Sequence, residues 1–92
     1  VYAGSFFFGV GGVHIFFLAH GQIAPGDSFS EFRVGLDHLS FTAPSEDAMN
    51  ALVNRLRAAG VKTTGVEIFE PSGAKYVMFR DPDNIQLEYW MD

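Results

Sequence analysis

Leu36-Asp37-His38-Leu39-Ser40-Phe41-Thr42-Ala43-Pro44-Ser45-Glu46-Asp47-Ala48-Met49 contains the change of period that decides the fold. Up to Thr42 the residues alternate, which predicts a strand with His38, Ser40 and Thr42 on one face and Leu39 and Phe41 on the other. Beyond Pro44 the period lengthens. Ala48, Met49, Leu52, Val53, Leu56 and Ala59 recur at i, i+3, i+4 spacing, predicting a helix over 45–59 with one face to be covered. Its ends are marked: Ser45 is a good N-cap, Glu46 and Asp47 suit the positive end of the helix dipole, and Gly60 fits the position after the last turn.

Three more strands are expected at Val61–Ile68, Ala74–Phe79 and Ile85–Trp90, joined by Pro71-Ser72-Gly73 and by Asp81-Pro82-Asp83-Asn84. In the second turn Pro82 presets φ and Asn84 tolerates the left-handed conformation. Residues 36–92 therefore read as a βαβββ module of the α+β class, a mixed sheet with one helix on one face. Upstream, 5–8 and 13–19 are β-rich runs around Gly9-Val10-Gly11-Gly12, a hairpin turn needing positive φ. The expected organisation is a hairpin over 1–20, a connecting loop over 21–35 rich in turn residues such as Pro25-Gly26-Asp27-Ser28, and the module after it.

Composition narrows the chemistry. With 92 residues the chain holds one small core and sits near the lower limit of independent stability. The absence of cysteine removes disulfides and thiolate metal ligands, so a metal would use nitrogen and oxygen donors. A net charge of −5 without a Lys/Arg run argues against nucleic acid. Glycines and His14 interrupt the apolar stretches before they reach the ~20 residues of a membrane span, so no membrane partner is expected. The chain starts at Val1 without a basic, cleavable leader, which leaves the cytoplasm as the default location.

In the last strand Glu88 shares a face with Gln86 and Trp90, while Ile85, Leu87 and Tyr89 form the greasier face suited to the helix. His38 and Glu88 are thus expected to point away from the helix. A right-handed crossover can lay the last strand beside the first and bring the two together, a pairing that suits Zn, Mn, Ni or Fe(II). Taken alone, one His and one Glu are more often surface or hydrogen-bonded structural residues.

Gly35-Leu36-Asp37-His38-Leu39-Ser40-Phe41, Arg55-Leu56-Arg57-Ala58-Ala59-Gly60-Val61 and Phe79-Arg80-Asp81-Pro82-Asp83-Asn84-Ile85-Gln86-Leu87-Glu88 resemble the second half of a vicinal-oxygen-chelate protein, the superfamily of glyoxalases, bleomycin-resistance proteins and extradiol dioxygenases. The resemblance covers Gly35 to Trp90. It implies a cup-shaped sheet built from two βαβββ modules, with metal held by the first and last strands of each. His38 and Glu88 then match the two ligands of the second module, Glu88 doubling as a candidate catalytic base. Tyr76, Met78 and Trp90 match the substrate-binding wall of the cup. Val1 to His20 resembles the last two strands of a first module. His20 is the candidate for that module's remaining ligand, with Leu18 the alternative if the register is offset by two, and His14 is a polar filler too far along the strand to share a metal with His20.

The implied function is a metal-dependent enzyme of glyoxalase or dioxygenase type, in which a divalent Zn, Ni, Mn or Fe ion acts as a Lewis acid on a small substrate with two adjacent oxygens. One alternative is a metal-free, bleomycin-resistance-type binding protein using Tyr76, Trp90 and the Phe-rich hairpin. Another is a truncated, inactive member. Phe6, Phe7, Phe8, Phe16 and Phe17 lack a helix of their own to cover them, which predicts a homodimer, with strand exchange between its chains as one form.

Overall fold

The computed structural model describes residues 2–92, and in the N-terminal hairpin the side chains of Gly9 and of residues 11–18. Strands β1 (Tyr2–Val10) and β2 (Val13–His20) pair antiparallel and form a sheet of their own. Val10 faces Val13 across Gly11 and Gly12, both at positive φ, so the turn has the two-residue geometry whose twist matches that of the strands.

The second sheet holds β3 (His38–Thr42), β4 (Glu67–Phe69), β5 (Ala74–Arg80) and β6 (Gln86–Met91) in the order β3-β6-β5-β4. β3 and β6 run parallel, and the remaining pairs are antiparallel. The helix α1 (Glu46–Ala58) makes the crossover from β3. Ser45 Oγ accepts from the Ala48 amide at 3.1 Å. At the other end the amides of Gly60 and Val61 reach back to the carbonyls of Arg57 and Leu56, with Gly60 at φ 74°. This is the double hydrogen bond that stops a helix at a glycine.

The core lies between helix and sheet. Met49, Val53 and Leu56 from α1 meet Val77, with Ala43 closing one end and Phe79, Tyr89 and Met91 packed around them. The greasier strand faces are thus the ones under the helix. Beyond this cluster the chain is extended: its radius of gyration is 14.9 Å, against roughly 12 Å for a compact domain of this length.

Two expectations need adjustment. The strand expected over Val61–Ile68 shrinks to Glu67–Phe69 because Thr63 and Gly65 break the ladder: Thr63 Oγ1 donates to the Met78 carbonyl at 2.9 Å and accepts from the Gly65 amide, and Gly65 sits at φ 83°. The connecting loop also runs further, to Asp37, and it is anchored. The Phe29 amide donates to the Asp83 carbonyl at 2.7 Å, and Asn84 Nδ2 donates to the Phe29 carbonyl, tying the loop to the β5–β6 turn. Asn84 is at φ 70°, as its place in that turn requires.

Candidate functional site

Parallel pairing sets His38 beside Gln86 and Ser40 beside Glu88, and residues paired across a ladder share a face. Antiparallel pairing adds Met78 opposite Glu88, Tyr76 opposite Trp90 and Arg80 opposite Gln86. One face of the sheet, the one turned from α1, therefore carries His38, Gln86, Glu88, Trp90, Tyr76, Met78 and Arg80.

His38 Nε2 and Glu88 Oε1 are 3.7 Å apart. Two metal–ligand bonds of about 2.1 Å each bridge about 3.0 Å at a right angle and about 4.2 Å when opposed, so the observed separation lies within the span of one divalent ion. The donor types also fit. Among the described residues no third His, Cys, Asp or Glu joins them, so the pair supplies half of a first-row metal's usual ligand set. The backbone of His20 ends β2 opposite Tyr2, but its side chain lies outside the described residues. His14 sits at the far end of the same strand, beside the turn and opposite Gly9.

Both members of the pair are held from behind. His38 Nδ1 lies 2.6 Å from Asp37 Oδ1, and hydrogen bonding to that carboxylate raises the imidazole pKa above its usual value; desolvation opposes the rise, and charge attraction to Glu88 and then Asp37 adds to it. An Nδ1–H fixed on a carboxylate leaves Nε2 as the atom turned toward Glu88, the arrangement found behind metal-bound histidines. Glu88 accepts at Oε1 from Trp90 Nε1 at 2.6 Å and at Oε2 from Gln86 Nε2 at 2.5 Å. Its side chain is only 11 % exposed, so these donors replace water for a nearly desolvated carboxylate. Sequence reasoning identified neither Asp37 nor Gln86. Asp37 was legible as the acidic neighbour of a candidate ligand, and Gln86 as the residue two before Glu88 on the same strand face.

The aromatic wall is built on the same face. Tyr76 stacks on Trp90 with centroids 4.7 Å apart and planes at 14°, and Phe69 meets Trp90 edge-on at 5.4 Å. Tyr76 Oη donates to Glu67 Oε2 at 2.8 Å, which raises the phenol's pKa. Glu67 is held below the usual carboxylate range, first by a hydrogen bond from Thr64 and then by Tyr76. Met78 faces Glu88 across the β5–β6 ladder. A second, apolar cleft of about 650 Å³ lies on the helix side between Phe17, Phe41, Ala51, Leu52 and Tyr89.

The fold is shared with known structures. A glyoxalase/bleomycin-resistance/dioxygenase domain from Frankia sp. EAN1pec is 36 % identical, superposes with a TM-score of 0.79, and is matched over 89 % of this chain and 62 % of its own. A glyoxalase family protein from Enterococcus faecalis (20 % identity, TM-score 0.70, 95 % and 66 % covered) and the lactoylglutathione lyase of Agrobacterium tumefaciens (20 %, 0.63, 91 % and 65 %) share the fold. The chain spans just under two thirds of the length of each. No protein of curated function matches it significantly. The family profile of the Glyoxalase/Bleomycin resistance protein/Dioxygenase superfamily aligns with residues 2–89. With nearly the whole chain aligned to that profile and its βαβββ sheet shared with solved members, the chain belongs to this superfamily.

Proposed function

We propose that His38 and Glu88 form one half of a divalent-metal centre, completed by a second copy of the chain, in an enzyme of glyoxalase or dioxygenase type acting on a small substrate with two adjacent oxygens. The observation that carries this reading is the 3.7 Å approach of His38 Nε2 to Glu88 Oε1, with Asp37 behind the imidazole. A Zn, Ni, Mn or Fe ion held there would supply Lewis-acid polarisation of the substrate oxygens. His38 contributes a neutral nitrogen whose tautomer Asp37 sets. Glu88 contributes a nearly desolvated carboxylate as the second ligand, and acts as a base in a substrate-bound form that releases it from the metal. Tyr76, Met78 and Trp90 give the substrate an apolar wall that limits water near that carboxylate.

Surface area supports the second copy. A folded monomer of 10.1 kDa exposes about 5,300 Å², whereas this chain exposes 6861 Å². The excess is about twice what one partner contributes to an interface of standard size. It includes Phe32, Val34 and Leu36, which lead directly into β3, and Phe16 and Leu18 of the hairpin. β3 is also an edge strand of its sheet, so the half-site stands at an open border.

Calorimetric titration with Ni²⁺ and Zn²⁺ tests the metal reading. Binding is expected in the native chain and is expected to be lost in His38→Ala and Glu88→Ala. Equal affinity in both variants sinks the proposal. The stacked Tyr76–Trp90 pair favours a second reading, a metal-free cup that sequesters an aromatic ligand. That reading requires ligand-dependent Trp90 fluorescence that persists in the presence of EDTA.

A further inference from the structure

We infer that Gln86, locked in one orientation by Arg80, is a positioning residue that ties up Oε2 of Glu88 and leaves Oε1 as the single oxygen offered to a divalent cation. This rests on the metal reading above and goes beyond it by naming what sets the ligand's denticity.

A glutamine amide can present either its oxygen or its nitrogen to a neighbour. Here Arg80 Nη2 donates to Gln86 Oε1 at 3.1 Å, and Gln86 Nε2 donates to Glu88 Oε2. Reversing the amide would set donor against donor at Arg80 and acceptor against carboxylate at Glu88. Arg80 is itself fixed, since Nη1 donates to the Asn84 carbonyl at 2.9 Å and to Glu31 Oε2 at 3.2 Å. The orientation therefore propagates from the β5–β6 turn and the anchored loop to the carboxylate. Gln86, Glu88 and Trp90 alternate along β6, so all three lie on the site face and the carboxylate is clamped from both sides. Because the Glu88 side chain is only 11 % exposed, water competes little for Oε2. Oε1 keeps one acceptor direction beyond its bond from Trp90, and it is the oxygen that faces His38 Nε2.

Co²⁺ titration of the full chain, followed by visible d–d absorption, tests this in the native protein and in Gln86→Met and Arg80→Met. Both variants remove the oriented donor while leaving His38 and Glu88 in place. About 10- to 100-fold weaker Co²⁺ binding is expected in each, the usual effect of losing a partner that orients a ligand. The absorption should also weaken as the released Oε2 joins the metal and its coordination number rises. Circular dichroism confirms folding, and Arg80→Met carries the test if Gln86→Met does not fold. Native affinity together with the native spectrum in the folded variants overturns the inference. A native chain that binds no Co²⁺ overturns the metal reading first, and the inference with it.

Discussion

Leu36 stands two residues before His38 at the start of the edge strand and is 61 % exposed. Burying a whole leucine contributes about 1.5–3 kcal/mol, so covering the exposed part of this one would contribute about 1–2 kcal/mol. In a two-fold dimer the residue occurs twice, and the loss from Leu36→Asp doubles to about 2–4 kcal/mol before the cost of desolvating two carboxylates. A weakening of the dimer constant by at least about 30-fold, and of order 1,000-fold at the upper end, follows from the ordinary conversion of free energy to affinity. The substitution touches none of the buried core residues, so the fold should survive it. Sedimentation velocity between 1 and 100 μM is the assay. The native chain is expected to sediment as a dimer and Leu36→Asp as a monomer in the lower part of that range. A native species of 10.1 kDa throughout, or identical association in both proteins, refutes the argument from exposed area.

Metal binding should weaken on acidification, because a proton on His38 Nε2 displaces the ion. Asp37 raises that pKa, so Asp37→Asn should move the midpoint of a Zn²⁺-binding pH titration to lower pH. Without metal the sign reverses: a raised histidine pKa contributes stability that is full below the unfolded value near 6.5 and is lost as pH rises through the folded value. With the His38 side chain 40 % exposed, the drift in thermal midpoint should be small. Met49 is fully buried, and Met49→Ala should cost about 2–5 kcal/mol, lowering the melting temperature by about 10 °C or more. Trp90→Phe keeps the aromatic wall but removes the donor to Glu88 Oε1, so a weaker Ni²⁺ affinity and a lowered melting temperature are expected from calorimetry and thermal scanning.

Period and caps made the module legible. Alternation placed His38 and Glu88 away from the helix, and Ser45 and Gly60 bounded α1 to within a residue. What periodicity could not supply was register. Whether His38 sits beside Gln86 or two residues further along depends on how the crossover closes, whereas the shared face of Gln86, Glu88 and Trp90 follows from alternation within one strand. The lost length of the strand after Gly60 has a local cause, because Thr63 satisfies backbone groups with its hydroxyl in place of a ladder. The anchoring of the loop by Phe29, Glu31 and Asn84 joins residues far apart in the chain and leaves no mark on any short window.

The parallel pairing of β3 with β6 has a kinetic consequence. The two strands open and close the module, so their ladder joins residues separated in sequence by α1, β4 and β5. Such a contact carries the loop-closure entropy of the whole intervening chain and belongs to the slow, non-local class of folding events. A partly folded species that has joined α1 to the β5–β6 hairpin but has not yet docked β3 holds Glu88 with its Gln86 and Trp90 clamps and no imidazole opposite. The His38–Glu88 pair exists only in the finished fold, so an ion held by both would withdraw molecules from the unfolded pool as its concentration rises and would act as a thermodynamic latch on assembly.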